Sequence, residues 1–171
     1  MATEIASNGA SAAHGIRAEY INPFIESVRE LFSTMLSCQA QRGNVTLSDG
    51  QSATHGIVAI IGLSGPARGT VALDFPSQTA FAIVGRLFGE APTEFDADVS
   101  DTVAEMANIV GGGAKARLRN DSHPIDLGLP TVVVGGDYQV HHPSQSTWLE
   151  IPFASELGDF TLRVTFGSDQ D

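Results

Sequence analysis

The sequence predicts an α+β domain in which an antiparallel sheet carries two long helices packed side by side on one face. Three observations lead there. Two helical runs repeat one apolar pattern at a constant offset, Val28, Leu31, Phe32 and Met35 of the first falling on Val103, Met106, Ala107 and Val110 of the second. The polar positions repeat too, Glu26, Glu30 and Ser33 falling on Asp101, Glu105 and Asn108. Each run is then followed by three stretches of strand character. The simplest architecture is a duplicated helix-plus-three-strand unit, with the polar stripes of both helices pointing away from the sheet.

Residues 1 to 18 are rich in Ala, Ser and Gly without a sustained apolar period, which predicts a disordered tail ahead of a domain over 19–167. Pro23 suits the first turn of a helix with Asn22 as its N-cap, and Gly43 ends that helix. Three strands follow, NVTLS, HGIVAIIGLS and GTVALDF, with turns at Asp49-Gly50 and around Gly65-Pro66. A shorter helix begins after Ser77, its expected N-cap, and stops at Gly89. The second long helix spans about Ala97 to Leu118, and strands TVVVGGDYQV, TWLEIPF and DFTLRVTF come after Pro130. Residues Ser168 to Asp171 are expected to fray.

Composition narrows the function. The formal charge of −11, from 20 acidic against 9 basic residues, argues against a nucleic acid or an anionic membrane as partner. Cys38 is the single cysteine, so the chain has neither an intramolecular disulfide nor a thiolate metal cluster. No run approaches 18 apolar residues, and the N-terminus lacks the basic start and apolar core of a signal peptide. These features together predict a soluble cytoplasmic protein. His141-His142 is not a metal pair, because adjacent strand residues point to opposite faces and no third ligand sits at a helpful spacing. GLSGPARG lacks the Lys-Ser/Thr ending of a phosphate loop and reads as a turn, and Cys38 reads as a small apolar filler.

Chemistry concentrates in DTVAEMANIVGGG, from Asp101 to Gly113. At 3.6 residues per turn Asp101, Glu105, Asn108 and Gly112 share one stripe, opposite an apolar one. A solvated helix face would carry Lys, Glu and Gln; a carboxylate, a carboxamide and glycines suggest a face that something approaches closely. In the first copy Ser33 replaces the carboxamide and Leu36 stands where Gly111 stands, so only the second copy is complete.

From Tyr20 to Phe166 the sequence resembles the CheC/CheX/FliY family of phosphatases, which dephosphorylate the response regulator CheY. The resemblance rests on YINPFIESV, IIGLSGPARGTVALDFP, VAEMANIVGGGAKARL and LPTVV, and on Asp101, Glu105, Asn108 and Pro130 at the spacing of the family motif. One complete site beside a degenerate Glu30/Ser33 copy matches the CheX-like arrangement. The resemblance implies a CheC-like fold and a phosphatase acting on a phosphorylated CheY-like receiver domain, with no cofactor or metal of its own and Mg2+ on the partner. It makes Asn108 the residue that positions the attacking water and Glu105 the one that docks a receiver lysine. Asp101, Gly111 and Gly112 become partner-binding positions, the glycines by permitting close approach. A homodimer joined through sheet edges follows as well, with Thr131 to Val140 and Thr147 to Phe153 as exchange elements. The alternative from a different class is a non-catalytic module that binds and sequesters the receiver domain through the same helix.

Overall fold

The computed structural model describes residues 18–49, 51–52, 55–121, 123–140 and 147–167. The tail before Ala18, the His141-His142 pair and the stretch from Ser168 lie outside the described residues. In chain order the elements are α1 (Ala18–Met35), β1 (Gln41–Arg42), β2 (Thr46–Ser48), β3 (Gln51–Ser52), β4 (Gly56–Ser64) and β5 (Gly69–Pro76). Then come α2 (Ser77–Phe88), α3 (Ala97–Asn120), β6 (Asp126–Leu127), β7 (Thr131–Gly135), β8 (Tyr138–Gln139), β9 (Trp148–Ser155) and β10 (Gly158–Phe166).

Eight strands form one antiparallel sheet in the order β1-β9-β10-β5-β4-β6, with β2 also on β9 and β7 also on β4. The two halves of the chain are interleaved in it. Equivalent strands β5 and β10 pair at the centre, whereas the first strand of each half, β2 or β7, pairs with the second strand of the other half, β9 or β4. The fold is thus the α+β arrangement expected, and its duplication is visible as a pseudo-two-fold sheet.

Alternation along β4, β5, β9 and β10 gives the sheet one strongly apolar face, and α1 and α3 cover it. Phe24, Val28 and Phe32 of α1 and Val103, Met106 and Val110 of α3 are buried against Ile57, Ile61, Phe75, Ile151 and Leu162. Phe160 anchors this layer, its ring 4.6 Å from that of Phe32, 5.2 Å from Phe75 and 5.1 Å from Phe153. A smaller cluster of Val58, Ala72 and Trp148 lies apart, with Tyr138 and Val133 packed against it. Cys38 is buried as expected of a filler; desolvation and the neighbouring Glu156 raise its thiol pKa, partly countered by Arg86.

Several local expectations are corrected. The first helix already includes Ala18, so Asn22 is not its cap and Pro23 lies inside it, because Tyr20 and Ile21 are held by packing. Tyr20 sits 5.3 Å from the Phe166 ring and 5.1 Å from His123, contacts that favour the extra turn although Pro23 cannot donate to the carbonyl four residues back. The helix ends at Met35 and not near Gly43, since Ser37 takes a left-handed φ of 51° and the Cys38 amide turns back to the Phe32 carbonyl. Ser77 is the first residue of α2 and not its N-cap; its hydroxyl donates to the His55 carbonyl at 3.0 Å. The stretch 131–140 is two strands, broken where Gly135 and Asp137 adopt positive φ and send β8 onto β3 in a separate ribbon. Of the two expected exchange strands, β9 lies inside the sheet between β10 and β1/β2, so only β7 has the position of an edge.

Candidate phosphatase face on the second long helix

The site helix starts where the sequence says it should. The Asp96 carboxylate accepts from the Val99 amide at 2.9 Å, satisfying one orphan donor of the first turn. Asp98 in that turn and Arg117 and Arg119 in the last one suit the helix dipole. Thr102, Val103, Met106, Ala107, Val110 and Ala114 are buried, which fixes the rotation of the helix about its axis. Asp101, Glu105, Asn108 and Gly112 are consequently all exposed on one stripe, as expected. Among the described residues Glu105 and Asn108 make no ion pair or side-chain hydrogen bond, while their surroundings are tied together.

Gly111 departs from its expected place. It is buried, and a Cβ there would stand 3.2 Å from Leu127 Cδ1 and 3.7 Å from Ile61 Cδ1. Its missing side chain lets the helix close onto the sheet, so the close approach it permits is internal. Gly112 fits the outward role, since a Cβ there would meet nothing within 4 Å. Gly113 serves a third contact, the crossing with α1, where a Cβ would stand 2.7 Å from Ser27 Oγ.

The helices run antiparallel: Tyr20 near the start of α1 meets His123 just past the end of α3, and Ser27 meets Gly113 further in. This crossing decides the fate of the degenerate copy. Arg117 of α3 donates to Ser27 Oγ and the Gly113 carbonyl, each at 3.1 Å, and to the Glu30 carboxylate at 2.5 Å. Glu30 is thereby engaged inside the molecule, whereas its counterpart Glu105 is available. Ser33 turns its hydroxyl back to the Glu30 carbonyl at 3.1 Å. Sequence reasoning missed this cross-helix clamp, although a basic residue in the last turn beside a repeat of the acidic stripe was a usable signal. It also missed the Lys115–Asp126 pair at 3.0 Å, which ties α3 to β6.

Chemically, the face offers a neutral amide that both donates and accepts, with an acceptor-only carboxylate one turn away. Among the described residues no group of three or more His, Cys, Asp or Glu is arranged to hold a metal ion, and no helix is long and apolar enough to cross a membrane.

Comparison with known proteins points the same way. The family model "Chemotaxis phosphatase CheX" matches residues 57–154. The CheY-P phosphatase CheX of Thermotoga maritima is 27% identical over 154 residues, covering 88% of this chain and 98% of the relative. A CheC-like superfamily protein from Shewanella sp. PV-4 superposes with a TM-score of 0.82 at 28% identity, over 90% of this chain and all of that one (100%). The crystal structure of a CheX-CheY-BeF3-Mg2+ complex from Borrelia burgdorferi shares the fold, with a TM-score of 0.75 at 23% identity over 89% of this chain and 100% of that one. The family model spans more than half of the sequence and the fold agrees with it, so this chain belongs to the chemotaxis phosphatase CheX family and is a protein phosphatase.

Proposed function

We propose that the chain hydrolyses the aspartyl phosphate of a CheY-type receiver domain, with α3 inserted at the partner's phosphorylation site and Asn108 positioning the attacking water. The observation that carries this reading is that Glu105 and Asn108 share an exposed stripe and make no side-chain hydrogen bond or ion pair among the described residues, while Glu30 in the other copy is held by Arg117. The receiver domain supplies the Mg2+ that neutralises the phosphoryl charge, as the presence of Mg2+ in the Borrelia complex suggests.

An acyl phosphate needs little covalent help. Water attacks phosphorus, the bond to the aspartyl oxygen breaks, the receiver's carboxylate is regenerated, and the proton lost by water stays with inorganic phosphate. Accepting one hydrogen bond from that water through its amide oxygen, Asn108 turns the lone pair toward phosphorus, and it does so without adding charge beside an anion. Glu105 fixes the depth of insertion by pairing with a cation on the receiver. Asp101 forms the acidic rim, and Gly112 leaves room for the partner backbone.

The phosphatase domain is assigned to 19–167 and its reaction to the cytoplasm, where the lone Cys38 stays a thiol. The working form is a homodimer joined through sheet edges, with β7 at one edge and β1 and β2 at the other. The deciding experiment follows decay of a phosphorylated CheY-type receiver domain alone, with this protein, and with the Asn108→Ala and Glu105→Ala variants. Wild type accelerates decay, Asn108→Ala lowers the saturated rate on the order of 10²-fold, and Glu105→Ala chiefly raises the concentration needed for half-saturation. Saturable binding without faster phosphate loss would instead establish a sequestering module.

A further inference from the structure

The edge beside α3 contains a defect in the ladder. Leu63 faces Leu127 and the Gly128 amide bonds to the Gly62 carbonyl at 2.9 Å, yet Ile60 faces Thr131. Between those points β4 contributes Ile61 and Gly62 while the edge contributes Gly128, Leu129 and Pro130, one residue more. The surplus makes a bulge, and bulges re-aim side chains. Leu129 is 91% exposed, the most exposed of the large apolar residues described.

Its position follows from the two ties between this edge and α3. Asp126 pairs with Lys115 and Leu127 packs at Gly111, so the edge runs antiparallel to the helix and steps back about one turn per residue or two. Carried two residues further at about 3.3 Å each, against about 5.4 Å per helical turn, the same run brings Leu129 to the level of the turn that carries Asn108 along the helix axis. Pro130 biases the residue before it toward extended conformations, which narrows the backbone freedom of Leu129. A leucine 91% exposed, followed by a proline and lying at the level of the exposed stripe along the helix, is placed for contact with another molecule.

We propose that Leu129 is an apolar docking contact for the receiver domain, seating in an apolar patch beside the phosphorylated aspartate while Glu105 and Asn108 enter the site itself. This rests on the phosphatase reading above and adds to it the chemistry of the partner surface. Its contribution is to affinity, because the side chain has no group that can take part in hydrolysis.

The test uses the full chain with Leu129→Ser and Leu129→Met, a CheY-type receiver loaded with BeF3 and Mg2+ for binding, and the phosphorylated receiver for turnover. Leu129→Ser is expected to weaken both binding and half-saturation about tenfold, with the saturated rate within about twofold of wild type, and Leu129→Met to restore most of the loss. Equal affinity of wild type and Leu129→Ser would overturn the proposal, as would a fall in saturated rate alone. A change in sedimentation mass with unaltered receiver affinity would also overturn it and assign the bulge to a contact between copies. Absence of turnover by wild type refutes only the phosphatase reading, because the binding arm still reports on Leu129.

Discussion

A glycine inside a helix costs about 1 kcal/mol relative to alanine, yet α3 carries Gly111, Gly112 and Gly113 in succession. Each meets a different surrounding: the sheet, open space and the neighbouring helix. Replacing Gly112 with alanine is therefore expected to stabilise the fold by about 0.5–1 kcal/mol, read as a rise in Tm, while slowing receiver dephosphorylation by filling space kept for the partner. Gly113→Ala is expected to do the opposite to stability, losing about 1–3 kcal/mol in denaturant titrations as its Cβ crowds Ser27. The periodicity of the sequence revealed the exposed stripe, Asp101, Glu105 and Asn108 included, because a helix needs only 3.6-residue spacing to sort its faces. It could not separate the glycines, since their roles depend on Leu127 and Ser27, which are remote in sequence. One composition signal therefore concealed three geometries.

Elements were legible where the local signal and the final packing agree. The start of α3 at Ala97 and Gly89 as terminator of α2 are such cases, the latter with φ 90° and its amide bonded to the Gly85 carbonyl. The end of α1 was not, because the residue in the left-handed position is Ser37 where glycine would have announced it. The covering of the sheet's second face was likewise invisible in the strand pattern. Asp74 and Arg163 alternate with apolar residues along β5 and β10, a pattern that does not distinguish a solvated face from a covered one; both are buried, with Arg163 Nη2 2.9 Å from Asp74 Oδ2. Tyr138, at the start of the β8 arm of the ribbon, donates its hydroxyl to the same carboxylate oxygen at 2.8 Å. Arg163 Nε also meets the Glu150 carboxylate at 3.2 Å, so Asp74→Ala is expected to cost about 1.5–3 kcal/mol by removing one of two carboxylates from a buried guanidinium, and Asp74→Leu combined with Arg163→Met to recover part of that loss. Equilibrium unfolding of the three proteins decides the matter, and a loss below about 1 kcal/mol for the single variant would show that the pair is solvated after all.

For the molecule as a whole, the sequence repeat foretold two like halves but not how they join. Offsetting the helices exposes the duplication, whereas strand order depends on pairings between residues as distant as Thr46 and Glu150, for which a single sequence carries no local sign. Interleaving has a consequence for integrity. Neither half can complete its own strands, so fragments cut in the link between α2 and α3 are expected to be unfolded singly and to regain the circular dichroism of the native chain when mixed. During synthesis the same arrangement imposes a wait. The segment Thr46–Ser48 leaves the ribosome long before Trp148–Glu150 exists to receive it, so the nascent chain carries an open strand, with Leu47 half exposed even in the finished fold, for most of its translation. That interval, more than the stability of the completed sheet, is when this protein is most vulnerable to joining with the wrong neighbour.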